Sequence, residues 1–120
     1  MPDEPTESLL TLDVVRNGEE AADEVIVRCH GKLVAGVSDV LYAQVSELIP
    51  DANRIVLDLT GLTHMDSMGL GTLVRLYVSA KSAGCDLKLI NLGKRVRQLF
   101  SVTNMMSVFA ITEEYDVPIH

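Results

Sequence analysis

Apolar and polar positions alternate from Leu10 onward. Leu10, Leu12 and Val14 point to one side with Thr11 and Asp13 between them, the period of a half-buried strand. Asn17-Gly18 is a turn signal. Val25 to His30 follows as a second strand that ends at Gly31, and the two strands are predicted to be antiparallel neighbours. Ser38 and Asp39 then open a helix, with Ser38 as its N-cap. Val37, Val40, Leu41, Val45, Leu48 and Ile49 recur at three- and four-residue steps along its inner face, and Pro50 to Asn53 stops it. Arg54 to Leu59 is almost continuously apolar, the pattern of a central strand covered on both faces. Thr60 to Met65 leads into Asp66-Ser67, and a helix is predicted from about Met68 to Ala83, closed by Gly84. That helix is apolar nearly all round (Leu70, Leu73, Val74, Leu76, Tyr77, Val78, Ala80), so heavy burial is expected, while its first turn holds the small residues Gly69, Gly71 and Thr72. Asp86 to Leu92 alternates as a strand, Val96, Leu99 and Phe100 mark a helix, and Val108 to Ile111 reads as a last short strand. The order ββαβαβαβ predicts an α/β fold, a mixed and mainly parallel β-sheet flanked by α-helices.

Composition narrows the picture. A chain of 120 residues favours one domain, expected over residues 9–120 after an acidic, proline-bearing lead at 1–8 that reads as disordered. A domain of this size buries roughly two-thirds of its unfolded surface, enough for a core without staples. Hydrophobic residues make up 48% and charged ones 22%, a globular balance. Without Trp, the core falls to Leu, Val, Ile and Met. The net charge of −7 opposes binding to nucleic acid or to an anionic membrane surface. Lys94, Arg95 and Arg97 form the one basic cluster, too small to reverse that and read as a solvated face. Partners are therefore expected to be proteins or small ligands. Cys29 and Cys85, far apart in apolar stretches, are expected to be buried free thiols. The first residues lack the apolar stretch of a signal peptide, and no apolar run approaches the roughly 18 residues that span a bilayer. A soluble, cytoplasmic protein without membrane insertion is the expectation.

The densest polar cluster, His64 to Gly71, falls between a strand and a helix, and four readings of it compete. A phosphate-binding glycine loop would use Gly69 and Gly71, but its third glycine falls at Val74 and the P-loop Gly-Lys ending is missing. An acyl-transfer nucleophile at Ser67 would need glycine where Met65 stands. His64 is too near in sequence to serve easily as its base, and His30 has no evident third partner. Capping is the third reading, with Asp66 and Ser67 satisfying free N–H groups of the helix start. The fourth is a modification site, an exposed serine among small residues that another protein can approach. His30, His64 and His120 show no metal-ligand spacing, so no metal or cofactor is expected.

Ile55 to Thr60 followed by Met65-Asp-Ser-Met-Gly-Leu-Gly71 resembles the signature of the STAS family, the sulphate-transporter and anti-sigma-factor-antagonist domain. Gly31-Lys-Leu33 lies where that family has its Gly-Glu-Leu-Asp turn, with Lys32 and Val34 in place of the two acids. Leu87 to Asn91 and Val96 to Phe100 resemble its next strand and helix. The resemblance implies an anti-sigma factor antagonist that is no enzyme. Ser67 would be the phosphoacceptor, and Asp66, Ser67, Met68, Gly69, Leu70, Gly71 and Thr72 the surface that meets an anti-sigma factor and serine kinase. Asp66 would either serve the helix N-terminus or bind the kinase's metal. By the same resemblance, the unphosphorylated form binds that partner and the phosphorylated form releases it. The alternative it implies is an unphosphorylated STAS scaffold module in a transporter or signalling complex.

Overall fold

The computed structural model describes residues 9–17 and 24–103. The lead at 1–8, the Gly18 half of the turn signal and the strand expected at Val108 to Ile111 lie outside the described residues. Within them the order is β1 (Leu10–Asn17), β2 (Glu24–Leu33), α1 (Ser38–Leu48), β3 (Arg54–Met65), α2 (Ser67–Ser82), β4 (Asp86–Ile90) and α3 (Lys94–Val102), with a short 3₁₀ turn at Ile49–Asp51 carrying Pro50. The four strands form one sheet in the order β1-β2-β3-β4. β1 runs antiparallel to β2, with Leu12 opposite Cys29, and β2, β3 and β4 are mutually parallel. The mixed, mainly parallel sheet expected from the pattern is the one found.

Burial follows the alternation. Leu10, Val25, Val27, Cys29, Ile55, Leu57, Leu59, Leu87 and Leu89 turn one face of the sheet into the core, where α1 (Leu41, Val45), α2 (Leu73, Leu76, Ala80) and α3 (Val96, Phe100) supply the other side. β3 is covered on both faces as its apolar run predicts, since Val56, pointing the opposite way, is only 1% exposed. Both cysteines are free and buried, and burial, then the nearby Asp58 carboxylate, pushes the Cys29 thiol up to about 12. No described helix is long and apolar enough to cross a membrane.

Three boundaries depart from the pattern. β2 does not end at Gly31 but continues to Leu33, and β3 runs on through Thr60 to Met65, the stretch read as a connection. Register shifts between Arg28 and His30 and between Gly31 and Lys32 let these uneven stretches stay paired, ending with Leu33 opposite Met65. Ser38 is the first residue of α1, buried and without a capping bond, and Val37 occupies the cap position. The preceding turn does the capping instead, because Val34 O accepts from both Val37 N (3.1 Å) and Ser38 N (3.0 Å). Finally, α2 is not apolar all round in practice. Met68 and Val78 are more than half exposed, since one helix against one sheet buries a stripe and leaves the far side to solvent.

Candidate functional site

The two longest strands carry their ends past the rest of the sheet, and α2 starts where they stop. Asp66 is the N-cap of α2, with extended backbone (φ −115°, ψ −174°), and Ser67 is the first helical residue. Of the two residues in the capping reading, Asp66 is the cap and Ser67 is not, because capping needs the extended backbone that Asp66 has and the helical Ser67 lacks. Asp66 Oδ1 accepts from Gly69 N at 3.0 Å, and Asp66 O accepts from Leu70 N at 3.0 Å. Its other carboxylate oxygen reaches across the chain, with Ala35 N donating to Oδ2 at 3.0 Å. Asp66 N in turn donates to Leu33 O at 3.3 Å. Partial burial alone would raise this carboxyl, but the hydrogen bonds from Ala35, Gly69 and Met68 outweigh it and hold the group below its usual 3.8. Asp66 is ionised at neutral pH.

Exposure divides the seven residues that the motif brought forward. Ser67 and Met68 face solvent, and Asp66 and Gly71 are half-buried. Gly69, Leu70 and Thr72 are buried. Three- and four-residue spacing turns Gly69, Thr72, Leu73, Leu76 and Ala80 inward along one stripe. Gly69 packs so tightly on the end of β2 that a Cβ there would collide with the Leu33 carbonyl, whereas one at Gly71 would meet open space. Thr72 donates its hydroxyl to Met68 O at 3.1 Å. Of the seven, Asp66, Ser67, Met68 and Gly71 are open to solvent at least in part, and Gly69, Leu70 and Thr72 lie buried beneath them.

His30 and His64 stay outside this arrangement, and His120 lies outside the described residues. His30 sits opposite Gly61 in the register, and the His64 ring lies 3.0 Å from the hydroxyl of its neighbour Thr63. Among the described residues no group of His, Cys, Asp and Glu is placed to hold a metal ion. A cavity of about 330 Å³ lined by Glu24, Asn53, Arg54 and Asp86 lies at the other end of the parallel strands, where each begins. The family resemblance reached Gly31 to Val34 on this side, and Ala35, whose N–H meets the Asp66 carboxylate from the Val34–Val37 turn, was not singled out in the sequence. Gly36, in a turn just before a helix, was the signal available for it.

The STAS domain family matches residues 14–116. The anti-sigma-B factor antagonist of Bacillus subtilis is 34% identical over 84 residues, covering 66% of this chain and 77% of that protein. Among solved structures, an anti-sigma factor antagonist from Mycobacterium paratuberculosis superposes with a TM-score of 0.70 at 17% identity, over 83% of this chain and 82% of the other. The anti-sigma factor antagonist SpoIIAA in its unphosphorylated form gives 0.66 at 20% identity, over 79% and 82%. At these identities the structures speak for the fold.

Proposed function

The chain belongs to the STAS domain family, and from that membership we propose that it is an anti-sigma factor antagonist, a protein-binding switch set by phosphorylation of Ser67. The observation that carries the reading is the exposed Ser67 at the first position of α2, on a turn held rigid by Asp66 and Gly69. In this reading the chain is a binding module and not an enzyme. Unphosphorylated, it engages an anti-sigma factor that is also a serine kinase, in the cytoplasm; phosphorylated, it lets that partner go.

The physics of the switch is local. A phosphoserine brings about −1.5 to −2 charge at neutral pH. Near the positive end of α2 it gains roughly 0.3–1 kcal/mol when exposed. The N–H groups of Gly69 and Leu70 are already taken by Asp66, so little backbone donation remains for the phosphate. The Asp66 carboxylate opposes the new charge through water and salt. These terms nearly cancel, and the fold has no reason to rearrange. The change falls on the complex, where a dianion displaces a hydroxyl from a contact edge and is left poorly solvated, at several kcal/mol.

The test is a pull-down from a lysate of the source cells, phosphosite mass spectrometry, and titration of Ser67→Asp and Ser67→Ala against the captured kinase. Ser67→Asp should melt like the wild type and lose most binding, and Ser67→Ala should keep it. Undiminished binding by authentically phosphorylated protein refutes the switch. A turnover activity that co-purifies with the chain and vanishes in Ser67→Ala refutes the binding-module reading.

A further inference from the structure

We propose that Asp66 is a positioning residue whose carboxylate ties the tip of the β2–α1 turn to the start of α2, so that a partner meets Ala35, Gly36 and Ser67 as one rigid edge. This deepens the reading of Ser67 as the switched residue and rests on it.

An N-cap needs a single acceptor, and serine or asparagine caps about as well as aspartate. Asp66 uses Oδ1 for that purpose, on Gly69 N. Its Oδ2 is surplus to capping and accepts from Ala35 N, 31 residues earlier in the chain. The turn that presents Ala35 is closed by Val37 N donating to Val34 O at 3.1 Å, with Gly36 at φ +94° and no positive φ at Ala35. A closed turn with positive φ at its third residue alone is a type II turn. The N–H at the second position of such a turn has no partner within it, and here Asp66 takes it. Because the carboxylate is ionised, the bond is charge-assisted and roughly twice as strong as a neutral one. Three further contacts bring the same two segments together: Asp66 N on Leu33 O, Gly69 packed on that carbonyl, and Leu33 beside Met65 at the end of the strand pairing.

The chemistry suits access to a hydroxyl. Ala35 and Gly36 are exposed and nearly without side chain, so the turn borders Ser67 without fencing it. A kinase that must seat the Ser67 hydroxyl against its nucleotide gains a second fixed point there, and the orientation of that point is set by one carboxylate.

Two substitutions cut the same bond from opposite sides. Asp66→Ser keeps a good cap and cannot reach Ala35. Ala35→Pro deletes the donor at a turn position that favours proline and leaves Asp66 untouched. In the isolated chain, Asp66→Ser should speed hydrogen exchange of the Ala35 amide at least tenfold while the melting temperature stays within a few degrees. Ala35→Pro should leave the Gly69 amide as protected as in the wild type. With the captured kinase, both variants should raise KM for phosphorylation of Ser67 several-fold with kcat retained. Unchanged exchange at Ala35 in Asp66→Ser overturns the tie, and a wild-type KM in both variants overturns the shared edge. Should Ser67 prove unphosphorylated, the exchange result still decides the tie, so the two readings fail separately.

Discussion

Gly69 and Gly71 stand two positions apart on α2 and meet opposite surroundings. A Cβ at Gly69 runs into the Leu33 carbonyl of β2, and one at Gly71 enters open space. Gly69→Ala should therefore destabilise by about 1–3 kcal/mol, the usual range for overpacking. Gly71→Ala should be neutral or stabilising by up to about 1 kcal/mol, as expected for glycine replaced inside a helix. Paired urea denaturations decide it, and equal effects at the two positions would refute the packing argument. Asp58 sets a second residue-scale expectation. Its Oδ1 accepts from Thr60 N, Thr60 Oγ1 and Asn91 Nδ2, and Oδ2 lies 3.9 Å from Arg28 Nε. Burial raises this carboxyl, but those hydrogen bonds and Arg28 prevail and leave it below its usual 3.8. A carboxyl lowered in the folded state contributes stability that is present above its unfolded value and lost as pH falls through the folded one. Below pH about 4, the wild type should lose stability more steeply than Asp58→Asn. Parallel acid titrations in urea would show it, and identical slopes would contradict it.

At the scale of elements, α2 is fixed at both ends by different means. Asp66 opens it, and at the far end Gly84 N on Lys81 O and Cys85 N on Ala80 O close it in a Schellman arrangement. Its outer side meets α1 through a stacked pair, with the Arg75 guanidinium 4.2 Å from the centre of the Tyr42 ring. At an exposed site such a contact is worth roughly 0.5–1 kcal/mol. A double-mutant cycle of Arg75→Ala with Tyr42→Leu should return a coupling in that range, and a coupling of zero would leave the pair as mere proximity. Neither substitution touches Ser67, so phosphorylation by the captured kinase should continue in both.

At the scale of the molecule, one core among the described residues joins four strands to three helices, and Phe100 is the largest fully buried side chain there. Phe100→Ala should cost about 3–5 kcal/mol, the usual price of deleting a buried ring, and chemical denaturation followed by two probes would read it. A cost under about 1 kcal/mol would mean that α3 is not integral to the core. The cysteines report on the same cooperative unit. Both are buried, and Cys29 is a neutral thiol far above neutral pH. Labelling by a thiol reagent should therefore track global unfolding, its rate rising with urea in step with the loss of secondary structure. Fast labelling of Cys29 in the native protein would contradict the burial.

Local periodicity carried most of the fold, because alternation and helical spacing are written in neighbouring residues. β1, β2, the apolar run of β3, the three helices and the Gly84 stop were all legible that way. The polar cluster from His64 to Gly71 was legible too, as a break in the apolar pattern between a strand and a helix, but a phosphoacceptor at Ser67 is implied by the family resemblance and not by that pattern. What escaped depended on contacts between distant segments. The bulged pairing that prolongs β2 to Leu33 and β3 to Met65 is decided by the partner strand. The turn bonds that displaced Ser38 as a cap depend on backbone geometry, which the residue types at Ser38 and Asp39 do not disclose. The exposure of Val78 follows from which side of α2 the sheet occupies. Asp66 shows the division most plainly: its residue type announced a cap, but its bond to Ala35 exists only because the sheet brings two ends of the chain within one carboxylate's reach.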